Sequence, residues 1–182
     1  MPSDELLIEQ CAKGDRQAQR ALYDRFAGRM LVVAIRYTKS DQEAEDVLQE
    51  AFIKIFEKIK SFRGEANIAF WIKKVVINTA LNSQRSKLYM FPMVDVTSMP
   101  EARPDDMSLQ GFHFKDLLRY IQELPSGCQT IFNLYAIEGY NHQEIAEMLD
   151  ISAGTSKSQY SRARQLLQEK IRKETIRYER AR

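Results

Sequence analysis

Apolar positions recur at helical spacing through most of the chain, and no useful stretch alternates with the period of two that a strand requires. The pattern predicts helices over about residues 4–13, 15–37, 41–60 and 68–87. In the second of these, Ala18, Leu22, Phe26, Met30, Val33 and Tyr37 line up as a core-facing stripe. In the third, Ala44, Val47, Leu48, Ala51, Phe52, Ile55 and Ile59 do the same. Gly14 and the turn Lys39-Ser40-Asp41 separate the elements, and Ser40 or Asp41 can cap the third helix.

Residues 88–110 break the periodicity. They carry Pro92, Pro100 and Pro104, scattered Met and four acids, the composition of a linker between two domains. The expected division is 1–88, a linker 89–111, and 112–182. A passive tether and an active role are both open for the linker. Beyond it, helices are expected over 113–124 and 126–138, with Pro125 and Gly139 as punctuation. Asn141 then caps a short helix over 142–149, with Glu144 at capping-box spacing. The turn Asp150-Ile151-Ser152 leads into a long final helix. The expected fold class is all-α: two helical domains joined by a flexible acidic linker, the second a helix-turn-helix domain of four helices.

The polar positions carry the functional signal. Opposite the apolar stripe of the third helix stand Asp46, Gln49, Glu50, Ile53 and Glu57. An aliphatic Ile53 among acids, on a face that would otherwise be solvated, points to a protein partner. After a Phe62-Arg63-Gly64 break, the next helix places Lys74, Asn78, Asn82 and Arg85 in one row. Asn favours caps and turns over helix interiors, so two in register call for a reason, and amide and guanidinium groups reading exposed bases supply one.

Near the end of the chain, a short helix, tight turn and long basic helix have the helix-turn-helix layout. Ile145, Ala146 and Leu149 can pack on Ile151, and small Ala146 permits close approach. The first turns of the second helix present Thr155, Lys157, Ser158, Ser161 and Arg162, short hydroxyls and long cations suited to base edges in the major groove. Arg164, Lys170, Arg172 and Lys173 are better placed for phosphate. A solvated basic helix is the competing explanation; turn and charge together favour DNA.

Composition narrows the class without naming it. The 182 residues carry a net charge of only +2, so charge distribution matters more than the total. From residue 154 onward nine Lys and Arg face three Glu, which concentrates positive charge at the end. Cys11 and Cys128 are too few and too far apart for a disulfide framework, and with His113 and His142 they show no zinc spacing. No Gly-rich phosphate loop is present, and His142, the obvious general base, reads as a polar helix start beside Asn141 and Gln143. No enzyme activity, metal or cofactor is expected. The absence of a signal-peptide pattern or a bilayer-length apolar run leads to the expectation of a cytoplasmic protein.

Two blocks of residues carry a resemblance. Asp46-Val47-Leu48-Gln49-Glu50-Ala51-Phe52, Ser61-Phe62-Arg63-Gly64, Phe70-Trp71-Ile72 and Val76-Ile77-Asn78-Thr79-Ala80 resemble the first domain of bacterial extracytoplasmic-function (ECF) sigma factors. Leu124-Pro125, the segment 141–151, and Gly154-Thr155-Ser156-Lys157-Ser158 through Ser161-Arg162-Ala163-Arg164 resemble their second. The resemblance implies a subunit that binds core RNA polymerase and directs it to promoter DNA. Asp46, Gln49 and Glu50, with Ile53 beside them, would dock on the clamp helices of the large polymerase subunit. The loop 62–67 and the row Lys74, Asn78, Asn82 and Arg85 would take the separated strand of the −10 element, with Phe62 and Arg63 in the loop. Phe62, Phe70 and Trp71 are candidate walls for an unstacked base, Phe62 the foremost. Lys157, Ser158, Ser161 and Arg162 would read the −35 duplex. The acidic linker would lie in the polymerase channels later used by template strand and RNA. An anti-sigma factor covering the same faces is a further implied partner.

This chain departs from the family pattern at two places. The family usually has an aliphatic residue at the position of Ser156 and a basic one at Gln159. Ser156 is expected to weaken the inner packing of the reading helix unless Tyr160 compensates. The alternative function is an autonomous helix-turn-helix regulator, which leaves the acidic face and the Asn row without a purpose and lacks an obvious dimerisation helix.

Overall fold

The computed structural model describes residues 3–62, 64, 67–89 and 114–180, with 85–89 and 177–180 as helix backbone only. Arg63, the Arg85 side chain and the linker from residue 90 on lie outside the described residues. The chain divides into two compact units, 1–85 and 86–182. Among the described residues there is no strand.

The first unit opens with α1 (Asp4–Ala12) and α2 (Arg16–Tyr37), and continues with α3 (Asp41–Lys58), a 3₁₀ turn (Ile59–Ser61) and α4 (Ile68–Tyr89). Each of the first three helices starts on an oxygen that satisfies otherwise orphaned backbone donors. Ser3 accepts from the amide of Leu6, Asp15 from those of Gln17 and Ala18, and Ser40 from that of Glu43. Ser40, rather than Asp41, is therefore the cap of α3. Gly14 joins α1 to α2 with a φ of +85°, a conformation that a side chain makes costly. The stripes of α2 and α3 both turn inward, and every residue expected in them is buried. Ala44 and Ala51, fully buried, let α2 and α3 approach closely.

The second unit consists of α5 (Phe114–Glu123), α6 (Ser126–Phe132), α7 (His142–Leu149) and α8 (Ala153–Arg180). Leu124, Cys128 and Ala163 form the heart of its core, with Phe132, Leu166 and Leu167 packed around them. The single helix expected over 126–138 changes character at its end: Asn133–Ile137 form a π turn. The side-chain amide of buried Asn133 donates to the Gln129 carbonyl at 2.9 Å and competes with the regular backbone pattern there. Gly139, with a φ of +85°, then ends the element. Cys11 and Cys128 are buried in different units and are not joined in a disulfide. No helix among the described residues is long and apolar enough to cross a membrane.

Candidate nucleic-acid interface

With its apolar stripe committed to the core, α3 presents Asp46, Gln49, Glu50 and Ile53 on the outside, all exposed. Ile53 leaves 60% of its surface uncovered. Glu50 meets Lys54 one turn on, at 2.6 Å. An exposed pair of this kind contributes about 0–1 kcal/mol, so a partner can claim the carboxylate at little cost.

In α4 the inner positions are Ile68, Ile72, Val76 and Ala80, accompanied by buried Thr79 and Gln84. The outer row of Lys74, Asn78 and Asn82 is exposed as the spacing required. Asn67 begins the helix by accepting from the Ala69 amide at 2.8 Å. The aromatic residues differ in exposure. Phe62 is half-buried and packs on Trp71, their ring centroids 5.3 Å apart. Phe70 stands 66% exposed, one turn before Lys74 in the same row, with the Lys73 ammonium 5.3 Å from its ring centre. Sequence spacing alone could not separate them, because neighbouring aromatic residues fit the same apolar pattern.

The helix-turn-helix is built from caps. Asn141 accepts from the amides of Gln143 and Glu144 at 2.9 and 3.0 Å, and Glu144 accepts from the Asn141 amide at 2.7 Å, a complete capping box. Asp150 takes a left-handed φ of +56°, and the Ile151 amide closes on the Ala146 carbonyl. Ser152 caps α8 by accepting from the Thr155 amide at 2.9 Å, and its hydroxyl also pairs with that of Thr155. Thr155 is therefore partly engaged in the cap. Ser158 donates to the Thr155 carbonyl at 3.0 Å and keeps acceptor capacity. Lys157 is exposed, while Ser161, Arg162 and Arg164 are half-buried along the same helix.

Beneath these residues lies an arrangement that the sequence reading missed. Ser156 is wholly buried, and its hydroxyl sits 2.9 Å from Nδ1 of His142 at the start of α7. The imidazole stacks on Tyr135 at 4.2 Å, and Tyr160 closes on Tyr135 at 4.5 Å. Burial, and then the charge of Lys157, hold the His142 pKa below its usual value. Burial pushes the Tyr160 phenol above its own. Gln159, instead of facing outward as a basic residue would, accepts from the Cys128 thiol at 3.0 Å. Ser156 therefore does not leave a packing defect; a hydrogen bond and an aromatic stack occupy its surroundings. His142 stands at the start of α7 as its neighbours suggested, half-buried, with one ring nitrogen turned inward to Ser156. The Ser156–Tyr160 spacing of four, pointing inward, was the one available signal. No cluster of three potential metal ligands occurs among the described residues.

Two helical units, one with an exposed acidic face on α3 and an exposed Asn row on α4, the other a capped helix-turn-helix, define a class of transcription protein. Residues 22–88 match the family model for sigma-70 region 2, and residues 114–167 match that for sigma-70 region 4. The ECF RNA polymerase sigma-E factor of Haemophilus influenzae is 30% identical, over 93% of this chain and 95% of that relative. The sigma-E factor of Escherichia coli K12 is 28% identical, over 93% and 94%. The chain belongs to the ECF sigma factors and is an RNA polymerase sigma factor. Among solved structures, the sigma factor RpoE of Bartonella quintana, in complex with the anti-sigma factor NepR, has a similar fold. Its TM-score is 0.52 at 20% identity, covering 84% of this chain and 96% of that one.

Proposed function

We propose that the two units divide promoter recognition between them. The outward face of α3, with Asp46, Gln49, Glu50 and Ile53, docks on core RNA polymerase. The exposed row Lys74, Asn78 and Asn82 on α4 receives the unpaired −10 strand, with Phe70 offering an open aromatic surface beside it. Arg63 and Arg85, whose side chains lie outside the described residues, are assigned to the same strand by the family resemblance alone. In the second unit, Lys157, Ser158, Ser161 and Arg162 read the −35 duplex, with Thr155 at the cap and Arg164 toward phosphate.

The observation that carries this reading is the exposure of Ile53 among acids on α3, on a helix whose other side is committed to the core. A solitary exposed aliphatic residue would be ordinary. Its setting within a matching docking motif gives it a purpose. The chain itself performs no chemistry in this scheme; the polymerase does. It acts in the cytoplasm, where the polymerase is, and takes no cofactor.

An anti-sigma factor that covers the same faces fits the scheme, since the similar sigma factor from Bartonella quintana was solved with one. The acidic segment 89–111 joins the units and, by its charge, suits the polymerase channels that nucleic acid later occupies. None of the relatives named above is an autonomous regulator.

The test is co-elution with bacterial core RNA polymerase, wild type beside the Asp46→Arg/Glu50→Arg double variant. Stable co-elution lost in the variant supports the docking face. A variant that binds core as well as the wild type overturns it.

A further inference from the structure

The first turns of α8 are held from inside by contacts that do not themselves reach DNA. Ser156 follows Thr155 and precedes Lys157, so its hydroxyl faces inward from the turn that carries the readers. Its partner, Nδ1 of His142, belongs to the first residue of α7, which Asn141 and Glu144 fix in place through the capping box. The imidazole in turn lies flat on Tyr135, 4.2 Å away and 12° from parallel. Tyr160, one turn after Ser156 on α8, packs on the same Tyr135 and lies 5.9 Å from the imidazole. The π turn that carries Tyr135, α7 and α8 thus meet at one hydrogen bond and one stack.

We infer that His142 is a positioning residue for −35 recognition: through the buried Ser156 hydroxyl it sets how α8 presents its readers to the groove. This rests on the reading of α8 as the −35 helix. The physical basis is rigidity. Lys157, Ser158, Ser161 and Arg162 share one helix, so a small rotation or shift of α8 displaces all of them together. Hydrogen bonds to base edges weaken steeply with such displacements. A buried hydroxyl that loses its partner must find another or go unsatisfied, and the simplest relief is movement of the turn that carries it. The depressed pKa of His142 is consistent with a neutral ring accepting from, or donating to, Ser156 at ordinary pH.

A positioning role differs from a base contact and from plain stability. Removing a base-contacting side chain relaxes discrimination at one base pair. Removing a positioning contact relaxes it across the whole element. A merely stabilising contact lowers the melting temperature and leaves the preference of the folded protein unchanged. Phosphate contacts are tolerant of small shifts, so the salt dependence of binding stays nearly the same in the positioning case.

The experiment uses the full chain assembled with core polymerase. Promoters are selected from duplexes randomised at the −35 position with the wild type, and relative affinities are then measured on all single-base variants of the winning sequence. Each specified base pair should discriminate by about 5- to 150-fold, the equivalent of roughly 1–3 kcal/mol. His142→Phe keeps an aromatic ring for Tyr135 but leaves Ser156 without its partner. It should lose at least about threefold of that discrimination at every specified position, with an unchanged salt slope.

The double variant His142→Phe/Ser156→Ala removes both polar partners and should recover most of the loss, because an apolar pair needs no hydrogen bond. Ser156→Ala alone leaves only a half-buried imidazole to be satisfied by water, and should show the same spread at smaller size even if His142→Phe folds poorly. An unaltered preference in both single variants overturns the inference. So does a loss confined to one base pair, or a double variant no better than His142→Phe. Arg162→Ala and Lys157→Ala serve as controls on the underlying reading. If neither relaxes any base pair, α8 is not the reading helix; if either relaxes one while His142→Phe and Ser156→Ala do nothing, only the positioning role fails.

Discussion

The side-chain amide of Gln84, late in α4, donates to the backbone carbonyl of Tyr37 at the end of α2, at 2.8 Å and fully buried. Residues 47 positions apart in sequence are thereby joined at the point where α2 stops. A C-terminal carbonyl of a helix has no partner of its own, and Gln84 satisfies this one from a neighbouring helix. The contact anchors the helix that carries the row Lys74, Asn78 and Asn82, beyond what its apolar stripe provides.

Gln84→Ala should therefore destabilise the first unit by about 1–3 kcal/mol, the cost of leaving a buried carbonyl without its donor. Chemical denaturation of the full chain, followed by a probe in the first unit, measures it. A change below a few tenths of a kcal/mol would mean that water replaces the amide.

Asp46→Arg/Glu50→Arg should abolish co-elution with core polymerase while leaving the melting behaviour of the chain close to wild type. Both side chains are exposed, and the Glu50–Lys54 pair is worth little to the fold. A parallel fall in melting temperature would instead assign the loss of binding to unfolding.

Phe70→Ala should weaken binding of the holoenzyme to DNA with an unpaired −10 strand by about 1–3 kcal/mol, the size of one base–aromatic stack. Binding to fully paired −35 DNA should be unaffected. Phe62→Ala should act chiefly on stability, because its ring packs against Trp71. Affinity on forked and fully paired probes, measured side by side with thermal melting, separates the two. A greater loss of forked-DNA affinity in a still-folded Phe62→Ala would restore Phe62 as the base wall.

The pH dependence of the second unit should carry the mark of His142. Its folded pKa lies below the ordinary histidine value of 6.5, so the unfolded chain binds the proton more readily. The stabilisation is complete above that value and is lost as the pH falls through the lower, folded one. Lys157, Tyr135 and Tyr160 surround the ring, and burial raises the Tyr160 phenol further from this range. The melting temperature of the wild type should fall more steeply below pH 6.5 than that of His142→Phe. Equal slopes would remove His142 as the source.

Much of this protein was legible in its residues because helical periodicity is a local property. The stripes of α2 and α3 needed only the spacing of apolar residues along one chain, and the structure buries every member. The outward positions of Asp46, Ile53, Lys74, Asn78 and Asn82 followed by elimination from the same wheel. The capping box at Asn141 and Glu144 is likewise a four-residue event.

What the residues could not reveal is which side chains meet across helices. Phe62, Phe70 and Trp71 fit one apolar pattern, and only the packing of the loop onto α4 turns Phe62 and Trp71 toward each other and leaves Phe70 open. Ser156 and Gln159 stood out as departures from the family pattern, Ser156 as a weakening of the inner packing unless Tyr160 compensated. Tertiary structure supplies their partners, His142 and Cys128, from 14 and 31 positions away. Most of the helices, their buried faces and the family could be read from the residues alone, because those depend on local spacing and on short motifs; the π turn at Asn133–Ile137 could not. The docking of helix on helix decided which polar groups are satisfied inside and which remain outside for DNA, because a hydrogen bond depends on where two distant parts of the chain come to rest.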